Sequence, residues 1–172
     1  MALNKWSVFL SNVLLVLCVC TYASDEKIIG NLKRVVDGDT IYLKTEANNS
    51  IKVRLAFIDA PELNQPFGTD AKAFLKKIEG QRVTIDVKSK DRYGRHVAIL
   101  FHRNADINLA MIENGYAWVY TEYLKYASIP MRDKYLNAEL LAKENELGLW
   151  QTKDYVPPWE WRKISKKGYR AN

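Results

Sequence analysis

Thiol chemistry is almost absent from this chain: of 172 residues only Cys18 and Cys20 are cysteine, and both fall within the first 23. Beyond that point a cysteine nucleophile, a thiolate zinc site, a redox pair and a disulfide framework are all excluded. Histidine is as scarce, and His96 and His102 stand in no pattern suited to a general base or a metal ligand set. No apolar run is long enough to cross a bilayer, since the unbroken one, Val13 to Cys20, falls well short of the roughly 20 residues a spanning helix requires. Acidic residues are in deficit, 20 against 26 basic, for a formal net charge of +6. That modest excess favours a polyanionic partner, nucleic acid or a membrane surface, without choosing between them.

Residues 1–23 read as a secretory signal: Lys5, an apolar stretch from Val8 to Cys20 broken by Ser11 and Asn12, then Thr21-Tyr22-Ala23. Cleavage is expected after Ala23, giving an exported protein, periplasmic or secreted, with no stable membrane association. Lys5 is the only charge removed, so 25 basic residues would face 20 acidic ones. The remainder, about 149 residues, is enough for one hydrophobic core without staples. We expect a single domain over 24–156, a basic aromatic tail over 157–172, and a monomer, because no coiled coil or long exposed apolar segment argues otherwise.

Period-two alternation dominates the first half. Ile51, Val53, Leu55 and Phe57 share one face of a strand, and Lys52, Arg54 and Ala56 the other, so Arg54 is turned away from the apolar stripe. Asp37-Gly38-Asp39 is a turn signal between Val35-Val36 and Ile41-Tyr42-Leu43, which places Asp39 at the start of a second strand. Ala71, Phe74, Leu75 and Ile78 predict an amphipathic helix from Thr69 to Gly80. Val83, Ile85 and Val87, then Val97, Ile99 and Phe101, predict two more strands joined by a polar turn ending at Arg95. A second helix is predicted over Ala105 to Asn114, and a third from Pro130 to Gly148 with Leu136, Leu140 and Leu147 on one apolar stripe. Five short strands and three helices suit an α+β protein built on a five-stranded Greek-key barrel of the OB-fold plan with the helices packed on it.

Four segments carry chemistry: Asp37-Gly38-Asp39-Thr40, Val53-Arg54-Leu55, Asp59-Ala60-Pro61-Glu62 and Asp91-Arg92-Tyr93-Gly94-Arg95. Each alone has a plainer reading, as an acidic turn, a solvated strand arginine, a strand exit or a tight turn. Together they supply what hydrolysis of a phosphodiester with one bound cation requires. Asp39 and Asp59 can hold a hard calcium or magnesium ion. Arg54 and Arg95 can each fork two donors onto phosphate oxygens. Glu62 can orient or deprotonate the attacking water.

In order and content these segments, with Asn114-Gly115-Tyr116-Ala117, resemble the staphylococcal nuclease or thermonuclease-like family from about Ile28 to Trp150. The resemblance implies an OB-fold endonuclease that binds calcium and hydrolyses DNA and RNA to 3′-phosphate products. It implies that Arg54, Glu62 and Arg95 are catalytic, that Asp39, Asp59 and the backbone carbonyl of Ala60 bind calcium, and that Asp37 lies beside the ligands without touching the ion. Arg92, Tyr93 and Tyr123 match positions that contact the nucleotide, an aromatic platform suited to single strands. Two departures are visible: Ala60 stands where the staphylococcal enzyme has threonine, and the loop from Leu63 to Thr69 is shorter than its counterpart.

The tail Pro157-Pro158-Trp159-Glu160-Trp161-Arg162-Lys163 looks like that of many bacterial members. It reads either as tryptophans packed on the body with a solvated end or as a basic arm for the nucleic acid backbone. Two other functions stay open on sequence: an OB-fold module that binds nucleic acid without cutting it, and a metal-dependent phosphoesterase for small substrates.

Overall fold

Alternating apolar residues build a barrel. The computed structural model describes residues 26–170; the expected signal segment and its cleavage point lie outside the described residues. Strands β1 (Glu26–Val35), β2 (Thr40–Thr45) and β3 (Ser50–Leu55) form an antiparallel meander, and β5 (Arg82–Lys90) pairs with β1 on its other side. Strand β6 (His96–His102) pairs antiparallel with β5 and parallel with β3, which closes five strands into a barrel. Inward residues such as Leu32, Ile41, Leu43, Val53, Ile85 and Leu100 are fully or almost fully buried inside it. This is the predicted OB-fold barrel. Short pairs supplement it: β4 (Ile58–Asp59) with β8 (Trp118–Val119), and β7 (Ala105–Asp106) on β6.

Helix α1 (Gly68–Lys76) lies against β1 with Ala71 and Leu75 buried, as its periodicity predicts. Asp106 caps α2 (Ile107–Glu113) by accepting from Leu109 N–H at 2.9 Å. Asn108, fully buried in α2, donates through Nδ2 to the carbonyls of Ala56 and Ala98 and accepts from Leu100 N–H, tying the helix to the β3–β6 seam.

Three expectations are corrected. Helix α4 (Ile129–Glu144) buries Tyr135, Ala138 and Ala142, while Leu136, Leu140 and the following Leu147 are exposed. Two helices join the three expected: the one-turn α3 (Thr121–Leu124) and α5 (Pro158–Arg170). In the tail a helix replaces the expected solvated end, while the expected packing of a tryptophan on the body holds, Pro158 being buried and Trp159 stacked on Tyr120. No helix among the described residues is long and apolar enough to cross a membrane.

Candidate active site

The β1–β2 turn, the exit of β3 and the start of α1 converge, and two glycines allow it. A Cβ on Gly38 would stand 2.6 Å from Ala60 Cβ and 2.8 Å from Ala71 Cβ, so only glycine lets the Asp37–Asp39 turn press onto the β4 exit and α1. A Cβ on Gly68 would stand 1.9 Å from the carbonyl oxygen of Glu62, so the start of α1 can abut the Glu62 backbone. Gln65 holds that backbone from the other direction, its N–H donating to the Glu62 carbonyl at 2.8 Å and its Oε1 accepting from Glu62 N–H at 3.1 Å.

Register brings the charges together. Arg54 sits opposite Thr40 on β2, next to Asp39, and Leu55 N–H donates to the Asp39 carbonyl at 2.8 Å. Arg54 Nη2 lies 2.8 Å from Asp59 Oδ1 and 3.1 Å from Asp39 Oδ2, and Nη1 donates to the Leu55 carbonyl at 2.9 Å. Asp39 is further fixed by Ala60 N–H, which donates to Oδ2 at 2.9 Å, and by Thr40 Oγ1, which donates to Oδ1 at 3.1 Å. Asp37 accepts from Asp39 N–H and so stands beside this pair. Burial pushes the Asp39 carboxyl up to about 7, Arg54 pulls against that, and the nearby charges of Asp37 and Asp59 add to the rise. Asp39, Asp59 and the Ala60 carbonyl are all hard oxygen donors, and a hard cation completed by waters fits such a set. Among the described residues no group of three or more His, Cys, Asp or Glu side chains is placed to hold a metal ion, so any ion here would rest on two carboxylates and backbone.

The structure brings Glu62 to this cluster through a residue that sequence reading left unassigned. Arg162 of α5 donates through Nη1 to Glu62 Oε1 at 2.8 Å and through Nη2 to Asp59 Oδ2 at 2.7 Å. Burial disfavours its charge, but these bonds outweigh that and hold it protonated. Helix α5 is seated by aromatic contacts: the Trp159 ring stacks on Tyr120 at 5.7 Å and 4°, and Trp161 Nε1 donates to Asn64 Oδ1 at 3.2 Å. Burial raises the Tyr120 phenol pKa, and the nearby Asp59 charge adds to it. Lying about a hundred residues from its partners, Arg162 gave no local pattern to read.

Arg95 is bound elsewhere. Its Nε donates to Asp91 Oδ2 at 2.7 Å and its backbone N–H to Asp91 Oδ1 at 3.0 Å. Asp91 is held below the usual carboxylate range: slight burial works against this, but the Arg95 and Tyr93 bonds prevail. Arg54 pairs with Val97 across the β3–β6 seam, and Arg95 lies two residues before Val97, so strand alternation aims both arginines at one face. Arg92 lies over the Tyr93 ring at 4.9 Å and Arg95 at 5.7 Å, and that ring is 69% exposed. Tyr123 is half exposed and meets Tyr120 edge-on at 4.8 Å.

A closed five-stranded OB barrel with an acid–arginine cluster where its first turn meets its third strand defines a class of nuclease. The chain belongs to the staphylococcal nuclease homologue family, whose model matches residues 52–152. It is 38% identical over 92% of its length to an "Uncharacterized endonuclease" of Haemophilus influenzae, covering 86% of that protein. It is 35% identical over 80% of its length to a "Micrococcal nuclease" of Shigella flexneri, covering 82% of that protein. A "Staphylococcal-like nuclease CAN1" of Arabidopsis thaliana is 35% identical over 68% of this chain, with 35% of the plant protein covered.

Proposed function

We propose that this protein is an exported, calcium-dependent endonuclease that hydrolyses DNA and RNA, with single strands preferred, and leaves 3′-phosphate ends. The observation that carries the reading is the clamp of Arg54 between the buried carboxylates of Asp39 and Asp59. Structural ion pairs need no such arrangement at a barrel edge, whereas phosphodiester hydrolysis needs carboxylates for a cation and a guanidinium for the phosphate side by side. Export rests on the sequence of residues 1–23, and the choice of calcium on the family resemblance.

In this reading Asp39, Asp59 and the Ala60 carbonyl hold the ion, which when bound polarises a phosphoryl oxygen and neutralises charge. Arg54 has three donor contacts engaged within the protein, so part of its five-donor fork remains for a phosphate oxygen. Arg95 is tied to Asp91 through Nε, which leaves its terminal nitrogens for the same group. Glu62 orients the attacking water and accepts its proton. Tyr93, flanked by Arg92, and Tyr123 stack unpaired bases. The molecule acts as a monomer.

The test is digestion of denatured DNA and of RNA by the purified protein with calcium, with magnesium and with a chelator, beside Arg95→Ala. Calcium-dependent cleavage that collapses in Arg95→Ala supports the reading. Binding without cleavage would instead make this a nucleic-acid-binding OB module, and cleavage indifferent to Arg95 would place the active site elsewhere.

A further inference from the structure

Asp59 is 1% exposed, and its carboxylate is already crowded. Arg54 Nη2 stands 2.8 Å from Oδ1, Arg162 Nη1 3.3 Å from Oδ1, and Arg162 Nη2 2.7 Å from Oδ2. An ionised carboxylate offers about four lone-pair positions, so three hydrogen bonds leave little room on it. The same Arg162 Nη1 holds Glu62 Oε1. Any cation taken by Asp59 therefore meets a positive charge already seated on both the ligand and the neighbouring Glu62.

Arg54 lies within the barrel wall and cannot leave, but Arg162 can. Helix α5 follows a surface stretch, residues 151–155, whose far end is pinned by Tyr155 against Trp150 and by Gln65 Nε2 donating to the Val156 carbonyl. The helix itself is anchored on the site's rim through Pro158, Trp159 and Trp161. The Arg162 side chain itself is 38% exposed. We propose that Arg162 is an internal counter-cation: it occupies Asp59 and Glu62 when no metal is bound and withdraws with α5 when the cation binds. Metal binding and docking of α5 are then competing events, and withdrawal frees Glu62 for water. This inference rests on the metal-dependent reading above.

If the docked arm is favoured about 10:1, the apparent metal affinity is reduced about tenfold. Calcium titrated calorimetrically into the purified protein and into Arg162→Gln should bind the variant about tenfold more tightly. Hydrogen exchange adds a measurement on the wild-type protein that needs no substitution. Amides of 159–166 should lose protection at saturating calcium while those of the barrel strands keep theirs. Equal or weaker calcium binding by Arg162→Gln would overturn the inference and make Arg162 a fixed positioning residue, as would protection of α5 that survives saturation. Absence of calcium binding in both proteins would overturn the calcium reading and this inference together, so the two failures are distinguishable.

Discussion

A guanidinium between two buried carboxylates is stable only while the charges balance, and that makes Arg54 informative on two counts. Arg54→Gln should lower nuclease activity by ~10² to 10³, as removal of one transition-state donor does. It should also destabilise the fold by up to about 3–5 kcal/mol, because Asp39 loses its guanidinium partner and Asp59 keeps only Arg162. Adding Asp39→Asn should recover part of the melting temperature and none of the activity. If the double variant is no more stable than Arg54→Gln, the charges are not the reason for the loss. Glu62 behaves differently, since its carboxylate is 38% exposed and its backbone is held independently by Gln65. Glu62→Gln should reduce kcat by ~10² to 10⁴ with little change in melting temperature; a large fall in melting temperature would show a structural role instead. The proximity of Asp39 and Arg54 was legible in the sequence because the Asp-Gly turn and strand alternation place them at adjoining positions, whereas Asp59 and Glu62, beyond the break in alternation at Phe57, stood out only by motif order and chemistry. Arg162 was not legible, because a basic residue in a charged tail looks the same whether solvated or seated on a distant carboxylate.

Helix α4 shows where periodicity stops deciding. Leu136, Leu140 and Leu147 recur at helical spacing, and so do Tyr135, Ala138 and Ala142 one position away, so both stripes satisfy the same pattern. Hydrophobicity favours the leucines. Packing chose the other stripe, because alanines permit close approach to α2 and Tyr135 places its hydroxyl on Asp106 at 2.8 Å. The barrel strands left no such ambiguity, since a shift of one residue would turn the whole apolar set outward. The turn before β2 is equally constrained. Gly38→Ala would insert a methyl 2.6 Å from Ala60 Cβ and 2.8 Å from Ala71 Cβ, atoms fixed to their backbones with no flexible side-chain end to yield. We expect a loss of about 1–3 kcal/mol in chemical denaturation. A disproportionate fall in activity should accompany it, because Asp39 moves with the turn; activity falling no further than stability would mean that the turn does not position Asp39.

The helical layer and the site are one mechanical unit, and pH should reveal it. Glu139 of α4 accepts from Val119 N–H at 2.9 Å, β8 pairs with β4 so that Trp118 faces Asp59, and Tyr120 N–H donates to the Phe57 carbonyl at 2.8 Å. Asp59 is thus braced from behind by α4, whose own attachment to α2 runs through the buried Tyr135–Asp106 bond. Burial pushes the Tyr135 phenol far above its ordinary 10, and the Asp106 carboxylate pushes it further. The unfolded chain therefore releases the Tyr135 proton first as pH rises. Its contribution is complete below about pH 10 and is lost above, at about 1.4 kcal/mol per pH unit from this group alone. Denaturation midpoints measured between pH 8 and 11 should fall steeply above 10, and Tyr135→Phe should flatten that limb. At neutral pH the same variant should cost about 1–3 kcal/mol, because Asp106 Oδ2 loses its donor in a buried place. Parallel pH curves for the two proteins would mean that the α2–α4 bond is not what alkali attacks. A flattened limb with activity lost in step would show that the brace behind Asp59 begins at Tyr135.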